Sequence, residues 1–362
     1  MALVEPTTPL PVLFIAVNDV DGGFIMATVG TNYLTIADHV KRLDPDGKTA
    51  RIVEILNKTN ELLSDIAVLE GNLPTGHRTT MRSGLPSVTW RKLYGYTSPS
   101  KSTVVQVDDS AGILEAFAFV DEDLAKLNGD VAAFRLSEDN PFFEAMNQEF
   151  MQTYFYGNTD TDPEEFLGLA PRFSVLSTTA GNSGTQIIDG SGTGSDNTSM
   201  WLLKHGEQYL HSFFPKGSEI GLTHRDMGLV TETDSTGAKR VGYQTQYKWK
   251  VGLSVRDYRH IVRIANLDIS DLKTAAAATD TSADLINLMI EAMHLKMENL
   301  SGGKLVWYCG REVFTALTKK AVAKANVNLT FEDFGGPNKV MAFQGIPIKR
   351  VDALTTTESR VT

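Results

Sequence analysis

The sequence predicts an α+β chain, and three observations carry that reading. Residues 241–255, VGYQTQYKWKVGLSV, alternate without a break. Val241, Tyr243, Thr245, Tyr247, Trp249, Val251, Leu253 and Val255 are apolar, aromatic or Thr, and the positions between them are Gly, Gln, Lys or Ser. This is the period of a strand with one dry face and one wet face. At about 3.3 Å per residue it spans roughly 50 Å, whereas ordinary strands run about 5–6 residues. Residues 282–300 place Ile286, Met289, Ile290, Met293, Met297 and Leu300 on one helical face, with Ser282 as a cap. Helical and strand patterns then mix without regular βαβ alternation.

Taken in order, residues 9–17, PLPVLFIAV, are apolar but short, and no basic residue precedes them as a secretory signal requires. From Met26 the chain reads as an ordinary protein start, so residues 1–25 are expected to be a dispensable extension. Without Glu5, Asp19 and Asp21 the formal charge goes from −10 to −7. Segments 35–43 and 48–69 have helical spacing, broken at DPDG and stopped by Gly71 and Pro74. Residues 75–109 are rich in Thr, Ser, Arg and Lys, with alternating pieces at SVTW and STVVQV, and predict a long β-hairpin with too few apolar residues for its own core. Its Arg78, Arg82, Trp90, Arg91, Lys92, Tyr94 and Tyr96 suit a surface that docks on another protein.

Residues 113–128 are mixed. A helix is expected to begin near Pro141, capped from 137–140, with Phe143, Met146, Phe150 and Tyr154 as a core stripe. Residues 157–200 read as loop-rich, and the five glycines of GNSGTQIIDGSGTGSDNTS as a mobile surface loop. Strands follow at MWLLKHG, QYLHSFF and GLVTETD, the last joined to the long strand by a turn at 235–237. On the long strand Tyr247, Trp249, Val251 and Leu253 are assigned to the core. DYRHIVRIANLD leads into ISDLKTAAAATDTS, read as a linker. The KLVWYCG strand, the GREVFTALTKKAVAKA helix and a final β region complete the chain.

The composition is globular, 42% hydrophobic and 22% charged over 362 residues, enough for two domains or one with long excursions. With 34 basic against 44 acidic residues and no basic cluster, tight DNA binding is disfavoured. The single Cys309 excludes intrachain disulfides and sits in an apolar run, as a core residue does. No apolar stretch approaches the ~20 residues that span a bilayer.

Catalytic and metal motifs fail on inspection. NTDTDPEE at 158–165 starts like a calcium loop but has Pro163 and Leu169 where Gly and Glu are needed. DGSGTGSD at 189–196 lacks phosphate-loop spacing. His205 and His211 read as polar strand residues, and His224 with Asp226 lacks a third partner. No catalytic, cofactor or metal residue is assigned, and no cofactor is expected.

The segment WKVGLSVRDYRHIVRIANLD resembles the major capsid proteins of tailed bacteriophages, in particular the podovirus coat family that includes the epsilon-fifteen-like phages. MATVGTNYLTIADHVKR, EFMQTYFYGN, EEFLGLAPRF and VWYCGREVFTAL are similar too. The resemblance covers most of the chain from Met26 and implies a Hong Kong 97-type fold. Its expected parts are an N-terminal arm and helix (26–71), an extended loop (72–112), a mainly peripheral domain with a spine helix, the glycine-rich loop and long strands (113–280), and a mainly axial domain (281–362). It implies self-assembly as hexamers and pentamers into an icosahedral shell around double-stranded DNA, built in the host cytoplasm. Portal, scaffolding or decoration proteins are expected partners, with weak or no direct DNA contact and no membrane. A tail or decoration protein, and an unrecognised enzyme, are the alternatives.

Overall fold

The computed structural model describes residues 60–127, 130–179, 181–233, 236–274, 284–322, 329–332 and 340–362, all within the compact unit Val53–Thr362. The segment 1–25, the helix at 35–43 and the first part of that at 48–69 lie outside the described residues. At the described end of the latter, a single 3-10 turn, Glu61–Ser64, gives way to strand β1, Val68–Glu70, so the helix does not reach residue 69.

Strands β2 (Gly76–Gly84) and β3 (Thr103–Asp121) form the expected hairpin, paired from Gly76↔Ser110 to Gly84↔Thr103. The SVTW piece belongs to the tip and is not a strand. Beyond the hairpin β3 runs on through the segment read as mixed and ends at helix α1, Glu122–Lys126.

Helix α2, Val131–Tyr156, begins ten residues before Pro141. Its cap is Asp130, whose side chain accepts from the Ala133 amide at 3.0 Å. Pro141 sits inside the helix, as the sequence did not lead us to expect. Met146, Phe150 and Tyr154 are buried along it, while Phe143 lies nearer the surface with its ring 4.8 Å from that of Tyr247.

After the short helix α3, Leu169–Arg172, the glycine-rich stretch is not a loose surface loop. It contributes β4, Ile187–Asp189, parallel to a later strand, and Gly184, Gly190 and Gly192 are buried. A Cβ on Gly192 would stand 2.5 Å from the Asn266 carbonyl, and the Gly192 amide donates to that carbonyl at 2.9 Å. These glycines permit close backbone approach, which composition alone cannot distinguish from looseness.

Next come β5 (Asn197–His205), β6 (Leu210–Phe214), β7 (Leu222–Thr233), β8 (Lys239–Val255) and β9 (Ile261–Asp268). The stretch read as a linker starts as helix α4, Ile269–Thr274. Helix α5, Leu285–Glu291, passes into a π-helical turn, Ala292–Lys296, and stops there. Leu300 is therefore off the helix and partly exposed, and Ser282 lies outside the described residues. β10 (Lys304–Cys309), α6 (Arg311–Val322), β11 (Leu329–Glu332), β12 (Val340–Phe343) and β13 (Ile346–Arg350) follow.

The strands join in the order β11-β12-β13-β10-β5-β6-β8-β3-β2, with β1 on β6, β7 on β8, β9 on β5 and β4 on β9. Two cores flank the central strands. Trp201 and Leu203 of β5 and Val306 and Tyr308 of β10 enter the core that holds Phe150, Tyr154 and Phe155 of α2. Met200 and Leu202, with Trp307 and Cys309, enter the core built on α5 and α6. Cover on both faces explains why MWLL and LVWYC are continuous apolar runs.

The long strand β8 has two regimes. From Gly242 to Trp249 it lies between β3 and β7, with one face toward α2. From residue 251 both faces are buried, including Gly252 and Ser254 on the side expected to be wet. There β6 replaces β7 as its neighbour, and Phe213 presses on Gly252, where a Cβ would meet the ring at 2.5 Å. Tyr247, Val251 and Leu253 are buried, but Trp249 is only half-buried. Its ring stacks on Phe150 at 4.4 Å, and its other side opens on a cleft lined by Leu63, Val68 and Ile220 at the point where β7 begins.

Candidate functional site

Along the paired part of the hairpin, cross-strand contacts fix its base. Arg78 donates through Nε and Nη2 to the two carboxylate oxygens of Asp108, both at 2.6 Å. Arg78 is thus engaged within the hairpin, whereas Arg82 points to solvent. The Arg172 guanidinium donates to Asp109 at 2.8 Å and ties the foot of β3 to α3. His77 of β2 packs edge-on against His211 of β6, with ring centroids 5.4 Å apart, and tilts over Phe213.

The tip, residues 85–102, has no ladder. Its polar contacts are local: Arg91 Nη1 donates to the Gly95 carbonyl at 3.1 Å, the Gly95 amide to the Lys92 carbonyl at 3.0 Å, and Ser100 Oγ to the Ser87 carbonyl at 2.8 Å. Tyr94, inside that turn, has φ of 64°, a left-handed conformation that a residue with a side chain adopts at a cost of about 1–2 kcal/mol. Trp90 and Tyr96 are as exposed as side chains can be, at 104% and 102%, and Leu85, Val88, Leu93 and Tyr94 are nearly so. Exposed apolar side chains gathered in this way are uncommon on a monomeric protein. From 76 to 107 the chain carries Arg78, Arg82, Arg91, Lys92 and Lys101 and no acid, within a molecule of net charge −10.

The residues weighed for chemistry go elsewhere. Asp226 accepts from Arg135 at 2.7 Å and from the Gly228 amide at 2.9 Å, while His224 lies against the Tyr247 ring. His205 and His211 are strand residues, as read from the sequence, but they sit on different strands, β5 and β6, and both are buried. Burial drives each ring down to about 4, and Arg256, near His211, adds to the effect there. His205 Nε2 lies 3.1 Å from the Tyr308 hydroxyl, which itself donates to Asp65 at 2.7 Å. The ring is therefore neutral, with its proton on Nε2. Burial would raise the Asp65 carboxyl, but hydrogen bonds from Lys304, Lys349 and Tyr308 hold it below the usual range. Burial pushes the Cys309 thiol up, as befits a core residue. Among the described residues no group of three or more His, Cys, Asp or Glu is placed to hold a metal ion, and no helix is long and apolar enough to cross a membrane.

What the surface offers is thus a basic, aromatic arm. The model of the family described as major capsid protein GP7 matches residues 44–362. A chain in the structure of bacteriophage Epsilon15 is similar at 37% identity, over 93% of this chain and 99% of that one, with a TM-score of 0.73. Two more distant likenesses are to the capsid of bacteriophage JBD30, at 11% identity, 83% and 93% coverage and a TM-score of 0.47, and to the capsid of a native GTA particle, at 10%, 68% and 97% and 0.41. No curated protein matches. The chain belongs to the GP7 family of major capsid proteins and is a coat subunit of an icosahedral phage shell, with the Hong Kong 97-type fold.

Proposed function

We propose that the β2–β3 hairpin is the arm by which each subunit holds its neighbour in the shell, with Arg82, Trp90, Arg91, Lys92 and Tyr94 at the contact. The observation that supports this is the tip itself: six large apolar or aromatic side chains exposed on an acid-free basic loop. In this reading α2 is the spine helix, and β3, β7 and the first part of β8 are the long strands of the peripheral domain. The axial domain takes in α5, α6 and β10–β13. Because β10 pairs with β5 of the preceding region, the division near residue 280 runs through a shared sheet.

Subunits gather as hexamers and pentamers in the virion after assembly in the host cytoplasm, with portal, scaffolding or decoration proteins as further partners. The role is structural, without catalysis. Contact with packaged DNA is weak or absent, given the net charge of −10. Isolated subunits are therefore expected to leave duplex DNA unretarded at ~0.15 M salt, where non-specific binders show Kd of ~10⁻⁴–10⁻⁶ M.

The arm is tested by replacing 85–102 with a short Gly–Ser turn that preserves the ladder. Removing the whole hairpin is a poorer test, because His77 and Asp109 pack into the body. The expected product has unchanged circular dichroism and forms no shells by electron microscopy. Closed shells at the normal yield would sink the proposal.

A further inference from the structure

At the foot of the same hairpin, where β3 passes α2, a small cleft of about 60 Å³ opens to solvent. Its floor is apolar: Leu114 of β3, Phe150 of α2, Phe166 and Val251 of β8. Ile113, 56% exposed, stands at its mouth. Its rim carries Glu149, Glu164 and Glu165, and no basic side chain lines it. Burial, then the neighbouring charges of Glu149 and Asp162, raise the Glu165 carboxyl. An apolar floor under crowded carboxylates fits a guest that is flat and apolar with cations beside it. Trp90, followed directly by Arg91 and Lys92, has that form and finds no cover in its own subunit.

We propose that this cleft receives Trp90 from the hairpin tip of a second copy of the chain, with the rim carboxylates engaging Arg91 and Lys92. The assignment rests on the reading of the hairpin as the assembly arm and names the surface that the arm grips. A subunit cannot fill its own cleft. The antiparallel ladder from Gly76↔Ser110 to Gly84↔Thr103 holds the tip about 30 Å from the cleft, at about 3.3 Å per residue. The contact is therefore head-to-tail: each subunit gives its tip to one neighbour and receives a tip from another. Such contacts close into rings when the rotation between subunits permits. Complementary charge sets register and suppresses wrong pairings, while the aromatic anchor supplies the buried area.

Charge reversal separates this inference from the reading beneath it. Arg91→Glu with Lys92→Glu, and separately Glu149→Lys with Glu164→Lys, are each expected to cut shell yield at least tenfold while circular dichroism stays unchanged. Combining all four substitutions is expected to bring the yield back to within about threefold of the parent. A milder pair, Glu149→Gln with Glu164→Gln, is expected to give an intermediate loss, and it serves if the lysine pair disturbs folding. Normal assembly of the tip variant would overturn the arm itself. A defective tip variant beside a normally assembling rim variant would leave the arm standing and remove the cleft as its partner. Two defective variants with no recovery on combination would overturn direct pairing of these charges.

Discussion

The hairpin tip, 85–102, and the C-terminal stretch, 352–362, both lack helix and extended strand, yet they are built in opposite ways. The C-terminal stretch is threaded into the body. Thr198 Oγ1 donates to the Thr355 carbonyl at 2.8 Å, the Glu358 amide to the Asn197 carbonyl at 2.9 Å, and the Asn266 side-chain amide brackets Val361 with two bonds of 2.8 Å. The Glu358 carboxylate is buried against Arg263 at 2.7 Å and also accepts from Ser199 and Tyr156. The tip bonds only to itself and exposes its largest side chains. Irregular backbone is fixed where core side chains satisfy its polar groups, and where they do not, its side chains stay exposed.

The sharpest way to break this contrast is at Glu358. Glu358→Ala strands the Arg263 guanidinium, which is 4% exposed, without its counter-charge. The expected loss is about 3–5 kcal/mol in subunit stability by urea unfolding, and a loss below about 1 kcal/mol would show that the C-terminal stretch is not held as described.

A second effect follows from acid. His205 and His211, held neutral with folded values of about 4 against about 6.5 unfolded, favour the fold only while uncharged. Their contribution is complete above about pH 6.5 and is lost as pH falls toward 4, by about 3 kcal/mol each. Asp65, held low, begins to lose its own contribution only below its unfolded value of about 3.9. The raised Glu61 and Glu165 act in the opposite sense, favouring the fold at low pH. Unfolding free energy measured between pH 7 and 4 is expected to fall, and His211→Gln to flatten that fall by about half. An unchanged slope in that variant would contradict the neutral buried ring.

The smallest expected effect is the most telling for the tip. Trp90→Ala removes the largest side chain there and is expected to move subunit stability by under ~0.5 kcal/mol, while shell yield drops. A core-sized loss would mean that the tip packs within its own subunit.

The sequence made the long strand legible because alternation reports one covered face, and it overreached where a second layer arrives: β6 and Phe213 come from forty residues away in the chain. Pro141 was misleading because proline at a first helical turn and proline inside a helix look alike locally, and Asp130 carried the real cap. Glycines 184–192 were misread for a related reason: whether a small residue is wet depends on what crosses it, here β9. The polar, coreless character of the hairpin was readable because its composition is local. The cleft was not, because Leu114, Glu149, Glu164 and Val251 come from four separate segments.

Strand β3 is continuous from the tip to Asp121, and its last eleven residues pair one-to-one with β8. A pull on the tip along β3 therefore meets that ladder in shear: its pairs must give way together rather than peel one after another. The hairpin is anchored like a glued lap joint, and tension applied at its tip is delivered along the length of β8 into the body of the sheet.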